Sequence, residues 1–327
     1  MTVHRRSVIV GLLLISIIIG CVLLSLSLGR SGLTMTDLVD LLGPDASKKQ
    51  VFVYERRAPR AFAAVVFGAC LGVSGALFQS LTRNALGSPD VIGLNSGAYT
   101  GVIVVLMIGG SGFGELAVGA VVGSLAAALA VFFLAYRQGL AGFRLIIVGI
   151  AVSAVLSSFN HWFSVRADLD ESMRAAIWGA GSLNGMTWTP LIITTCVASV
   201  MALSLPRLAF LTRALDLGED TAASLGVRVE RTKLVMVVVG VVFTAIVTAV
   251  AGPIGFVSLA APQIAKRLLG RPSLSLIGSA LVGAAVLAIG DLAAQHFLGD
   301  VHPPVGAVTV TLGGLYLVWL LLRESSK

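Results

Sequence analysis

Ten stretches of this sequence, each 16 to 23 residues long, are apolar enough to cross a bilayer: 7–28, 61–81, 93–110, 114–136, 145–164, 190–210, 233–251, 254–269, 274–291 and 304–322. A helix of about 20 apolar residues spans the hydrocarbon core. In lipid, every backbone N–H and C=O must be satisfied within a helix or a closed barrel. These runs are too long, and alternate too little, for barrel strands. The expected fold is therefore all-α and integral to the membrane, a bundle of about ten transmembrane helices forming a single domain over residues 1–327. The run 254–269 is the shortest and carries Pro262, so its limits are the least regular. Charged residues make up 12% of the chain, about half the ~25% of a soluble domain. The net charge of +7 has no soluble basic face to occupy, which argues against a nucleic-acid partner and for loop charge beside membrane lipid.

The first run follows "HRR", as the apolar region of a signal peptide would. Its 22 residues are enough to span, and no small-x-small cleavage pattern follows, so a retained first helix is expected. Cys21, Cys70 and Cys196 all lie inside apolar runs without metal-ligand spacing and read as small packing residues. "GACLG" and "GAVVG" are small-xxx-small patterns that let helix backbones approach closely. The stretches 74–93 and 251–270 share small residues and a proline. Helices 2–5 and 7–10 are offset by an odd number, so any duplication between them is an inverted repeat.

Ten spans place both ends of the chain on one side. The loops of that side hold 15 of the 23 Lys and Arg residues. The other side holds eight, five of them in "KKQVFVYERRAPR", residues 48–60. Cytoplasmic loops carry the excess of Lys and Arg. Both termini and the loop 211–233 are then cytoplasmic, and residues 48–60 form an extracytoplasmic loop that runs against the rule. Within 211–233, "LGEDTAASLG" reads as a short helix, with Glu219 and Asp220 at its start and Gly226 able to end it. Alone, it is either a solvated connector or a helix offered to a cytoplasmic partner.

No G-x-x-x-x-G-K-[ST] phosphate loop occurs, so ATP-driven work would need a separate ATPase chain. There is no H-E-x-x-H and no plausible Ser/His/Asp set, so no catalytic residue and no metal site is expected. Ion-coupled carriers keep ionisable groups near the midplane. Asp90, Asp291, Arg144 and His161 lie near helix ends or breaks, which disfavours a carrier. Asn84, Asn95, Ser96 and Asn160 either line a polar pathway or pack helices together.

Five motifs occur in order: "RRAPR", "GVSGALFQSLTRNALGSPDVIGLNSGA", "LDLGEDTAASLGV", "GPIGFVSLAAPQIAKRLLG" and "PPVGAVTVTLGGLYLVWLL". Through them, about residues 50–325 resemble the permease subunits of type II ABC importers for iron–siderophores and vitamin B12, the FecCD-like family. "FRLIIVGI" and "GSLNGMTW" bring the likeness nearest to ferric-enterobactin permease subunits. The resemblance implies a vitamin B12 permease-like bundle in a bacterial cytoplasmic (inner) membrane. It implies a second permease subunit, two copies of a cytoplasmic ATPase holding ATP and Mg, an extracytoplasmic substrate-binding protein, and a ferric siderophore as cargo. No cofactor would reside in this chain. Docking to the binding protein would fall on Arg56, Arg57 and Arg60. Coupling to the ATPase would fall on Leu217, Gly218, Glu219, Ala222, Leu225, Gly226 and Val227. A cytoplasmic gate loop would fall near Gly142 and Phe143. The sequence departs from the family pattern at Ala85, at Gln263 after Pro262, at Lys266, and at Gln295 in place of a docking arginine, which suggests a heterodimer. Haem or cobalamin import is the alternative cargo, a secondary carrier the alternative class, and an intramembrane enzyme the third reading.

Overall fold

The helix at the centre of the molecule begins well before its apolar run. The computed structural model describes residues 3–28, 37, 47–136, 139, 141–270, 273–296 and 303–325. Thirteen helices and no strand occur among the described residues. They are α1 (Val3–Ser27), α2 (Lys48–Thr82), α3 (Leu94–Met107), α4 (Phe113–Ala135), α5 (Gly142–Arg166), α6 (Leu169–Gly179) and α7 (Trp188–Ala202). There follow α8 (Leu205–Asp216), α9 (Glu219–Ser224), α10 (Val229–Ala251), α11 (Val257–Leu269), α12 (Leu276–His296) and α13 (Val305–Ser325).

Each expected span has its helix. Six are long and apolar enough to cross a membrane, and the pair α7–α8 makes a seventh. The remaining three apolar runs fall on the 14-residue α3, the 13-residue α11 and α13, whose searched apolar part is Val305–Tyr316. Four local expectations change. Residues 48–60 are the first turns of the 35-residue α2 rather than a loop. A capping box starts that helix: Gln50 N donates to Ser47 Oγ (3.3 Å) and Ser47 N to Gln50 Oε1 (2.7 Å). The run 190–210 is bent by 51° between α7 and α8, where Pro206 favours a new helix start. The connection 165–189 contains α6, with Asp170 and Glu171 in its first turn. The loop 211–233 is mostly helical, shared among α8, α9 and α10.

Burial is uneven across the bundle. In the spanning windows of α2, α10 and α12, 78%, 67% and 67% of residues are buried, against 11% in α5. The α2–α12 contact is close because neither face carries side-chain bulk. A Cβ on Gly72 would lie 2.1 Å from the Ser279 carbonyl oxygen, and one on Gly283 would lie 2.2 Å from that of Gly68. The stretches 74–93 and 251–270 pack against each other. Gln79 Nε2 donates to the Leu259 carbonyl (2.9 Å), Gln263 Nε2 to Gln79 Oε1 (2.7 Å), and Ser258 Oγ to Asp90 Oδ2 (2.7 Å).

The helices define two poles. The start of α2, the 180–188 turn and the end of α12 form an arginine pole. The 83–93 break, the end of α8, α9 and the end of α11 form a loop pole. At ~1.5 Å per residue, α2 runs about 50 Å from one to the other.

Candidate functional site

At the arginine pole the three candidate docking residues differ sharply. Arg60 is turned inward. Its Nε and a terminal nitrogen donate to Asp291 Oδ1 at 3.0 and 2.8 Å, and its other terminal nitrogen donates to Asn184 Oδ1. The Asp291 side chain is 3% exposed. Gln295 Nε2 donates to its other oxygen at 2.6 Å, so the departure at 295 completes this cluster. Arg57 donates to the carbonyls of Leu26 (3.2 Å) and Leu28, tying α2 to the end of α1. Arg56 remains exposed, with its guanidinium carbon 5.4 Å from the Phe52 ring centroid. Of the three, Arg56 is exposed, and Arg57 and Arg60 are half-buried. The pull of a buried carboxylate turns Arg60, and carbonyls at a helix end turn Arg57.

Between the poles, α3, α5 and α6 enclose an open polar cavity of 540 Å³. Asn95, Ser96 and Asn160 all line it. Asn160 Oδ1 accepts from Thr100 Oγ1 at 2.8 Å, and Asn95 Nδ2 donates to Asp90 Oδ1 at 2.7 Å. These amides are held in place by the fold. Ser157, His161 and Ser164 form the exposed part of the wall, and Tyr99 stacks on Trp178 at 6.2 Å with the rings 9° from parallel. Among the described residues, no Asp, Glu, Lys or Arg lines the cavity. Such a wall exchanges hydrogen bonds with a polar solute without trapping it by charge. Sequence reasoning missed Ser157, His161, Ser164 and Tyr99. The first three, with Asn160, recur at three- and four-residue spacing on one helix face, a signal that was available.

Asn84, Gly142 and Phe143 belong elsewhere, at the loop pole. Asn84 Oδ1 accepts from Leu86 N (2.9 Å) at the rim of a second cavity, of 830 Å³. Gly142 begins α5 against Thr82, where a Cβ would lie 2.5 Å from the Thr82 Cα, and Phe143 is exposed. Among the candidate coupling residues, Leu217 caps α8 and Gly218, at φ +113°, turns the chain into α9. After Leu225, Gly226 N donates to the Ala223 carbonyl and Val227 N to that of Ala222, closing α9 in a Schellman motif. Ala222 is fully buried, while Leu217 and Leu225 are 65% and 64% exposed. Glu219 accepts from the buried Lys233 of α10 at 2.7 Å, and Glu230 also accepts from it at 3.3 Å. The start of α9 is therefore tied to a helix that runs through the core. Among the described residues, no group of three or more His, Cys, Asp or Glu side chains is placed to hold a metal ion.

The chain is 44% identical over 332 residues to the ferric enterobactin transport system permease protein FepG of Escherichia coli strain K12, covering 99% of both chains. It is 32% identical over 284 residues to the hemin transport system permease protein HmuU of Yersinia pestis, covering 83% of each. Among solved structures, a chain described as a metal-chelate type ABC transporter in an inward-facing conformation matches with a TM-score of 0.84 and 24% identity, covering 96% of this chain and 99% of that one. That match shows that this chain shares the fold of that transporter chain. The FecCD transport family matches residues 15–323, and the chain, a multi-pass membrane protein, belongs to that family.

Proposed function

We propose that this chain is the permease subunit of an ATP-binding cassette importer that moves a ferric siderophore of the catecholate, enterobactin-like class into a bacterial cytoplasm. The observation that carries this reading is the 44% identity, over 99% of both chains, to a ferric enterobactin permease protein. The loop pole and both termini face the cytoplasm, a reading supported by the distribution of Lys and Arg between the loops. The polar cavity forms one wall of the pathway. A second permease subunit, a different chain, completes it against α5, whose spanning residues are mostly unburied. Arg56 offers its charge to an acidic group on the extracytoplasmic binding protein, steering and orienting it.

Two copies of a cytoplasmic ATPase hold the ATP and Mg. This chain holds no cofactor and makes or breaks no covalent bond, and iron passes through it only inside the siderophore. The exposed Leu217 and Leu225 seat α9 in an apolar groove of the ATPase. The Glu219–Lys233 pair carries displacement of α9 into α10. A strain lacking this gene should fail to grow with ferric enterobactin as sole iron source, and should grow normally on haem. Undiminished growth on ferric enterobactin would overturn the assignment. Loss confined to haem would move the cargo to that of the Yersinia relative.

A further inference from the structure

The 830 Å³ cavity at the loop pole is lined by three cations, Arg83, Arg213 and Lys266, and one acid, Asp216. Arg83 spends one N–H on the Leu215 carbonyl, at 3.2 Å. Arg213 and Lys266 make no hydrogen bond or ion pair among the described residues. Elsewhere the fold consumes comparable groups: Arg6 donates to the carbonyls of Leu268 and Arg267, Arg60 pairs with Asp291, and Lys233 pairs with two glutamates. Gathering like charges around a concavity is unfavourable unless an anion completes it, and such a concavity concentrates potential at its mouth. The rim includes Leu217 and Gly218, which lead directly into α9. Whatever seats on α9 lies beside this opening. Ala85, Gln263 and Lys266, three of the departures from the family pattern, line the same cavity and so form one altered surface.

We propose that this cavity receives an acidic side chain of the ATPase subunit, a contact additional to the one made by α9 itself. The inference rests on reading the chain as an importer permease. A carboxylate matches the Arg213 guanidinium in planar, two-bond geometry and takes Lys266 as a second, point-charge partner. Asp216 competes for the same cations. Removing Arg213 and Lys266 and removing the acid should therefore move the affinity in opposite directions, which a merely damaged surface does not do.

The test is ATPase affinity of the purified full permease, tagged on this chain, measured across a salt series. In the Arg213→Ala/Lys266→Ala variant, affinity should fall about tenfold and lose most of its salt dependence. Asp216→Asn should bind more tightly than wild type, and Lys266→Arg should bind like wild type. Both cations are exposed, so thermal midpoints should match and serve as the folding control. Unchanged affinity and salt slope in the double variant would overturn the proposal and leave the importer reading intact. A wild-type chain that retains no ATPase would overturn both. Unchanged ATPase affinity with weakened retention in phosphatidylglycerol nanodiscs would give the cavity to a lipid headgroup and overturn the proposal.

Discussion

The cations at the two ends of α2 share their chemistry and differ in what they are spent on. At the arginine pole, Arg57 and Arg60 are consumed by the fold, on backbone carbonyls and on a buried carboxylate. At the loop pole, Arg213 and Lys266 line a cavity and make no hydrogen bond or close ion pair among the described residues. Solvent access explains the difference. Asp291 is shut away from water, and an isolated carboxylate there would be strongly destabilising, so the nearest guanidinium is drawn in. Among the described residues, the one acid that lines their cavity is Asp216, which is exposed and lies there with Arg83 as well. A charged loop or helix end is therefore a docking surface only where the interior makes no claim on it.

The largest effect is expected where the claim is strongest. Asp291→Ala leaves Arg60 without its counter-charge, and breaking a buried pair from one side costs about 3–5 kcal/mol. The variant should show a much lower detergent melting point and membrane level. Near wild-type values would mean that the pair is ornamental and Arg60 free. Next is Leu225→Asp, on the helix proposed to seat the ATPase. Setting an unpaired carboxylate in an apolar groove costs about 2 kcal/mol, or roughly thirtyfold in ATPase affinity. The melting point of the permease itself should not move. Normal ATPase recovery with normal transport would make α9 a connector. The smallest effect is expected of Arg56→Glu. One exposed ion pair is worth about 0.2–1 kcal/mol, so uptake should fall no more than about fivefold, most at low ionic strength. A loss that ignores salt would rule out steering.

Much of this division was not legible in the sequence. The helices were, because bilayer length and backbone satisfaction leave few alternatives to a run such as 233–251. The start of α2 was not. Its five cations and Pro59 read as a loop, although Ser47 and Gln50 at capping-box spacing mark a helix start. The bend before α8 had its signal in Ser204 and Pro206, and α6 had Asp168 with Asp170 and Glu171 behind it. The fate of Arg60 had no local signal, since Asp291 lies 231 residues away. The polar wall was half legible. Asn95, Ser96 and Asn160 stood out as polar groups in apolar runs, whereas Tyr99 joins them only through packing on Trp178. The arginine motif "RRAPR" pointed to a partner-binding surface, but only tertiary structure separates Arg56 from Arg60.

The separation of Arg56 from Arg60 is tested most directly by thermal unfolding of Arg56→Ala and Arg60→Ala, purified side by side in one detergent. Arg60→Ala should unfold at a clearly lower temperature than wild type, because Asp291 stays buried without its counter-charge. Arg56→Ala should unfold with wild type, because its guanidinium rests on an exposed ring and holds nothing together. Equal midpoints for the two variants would mean that the fold makes no distinction between these arginines, and that the docking surface includes both.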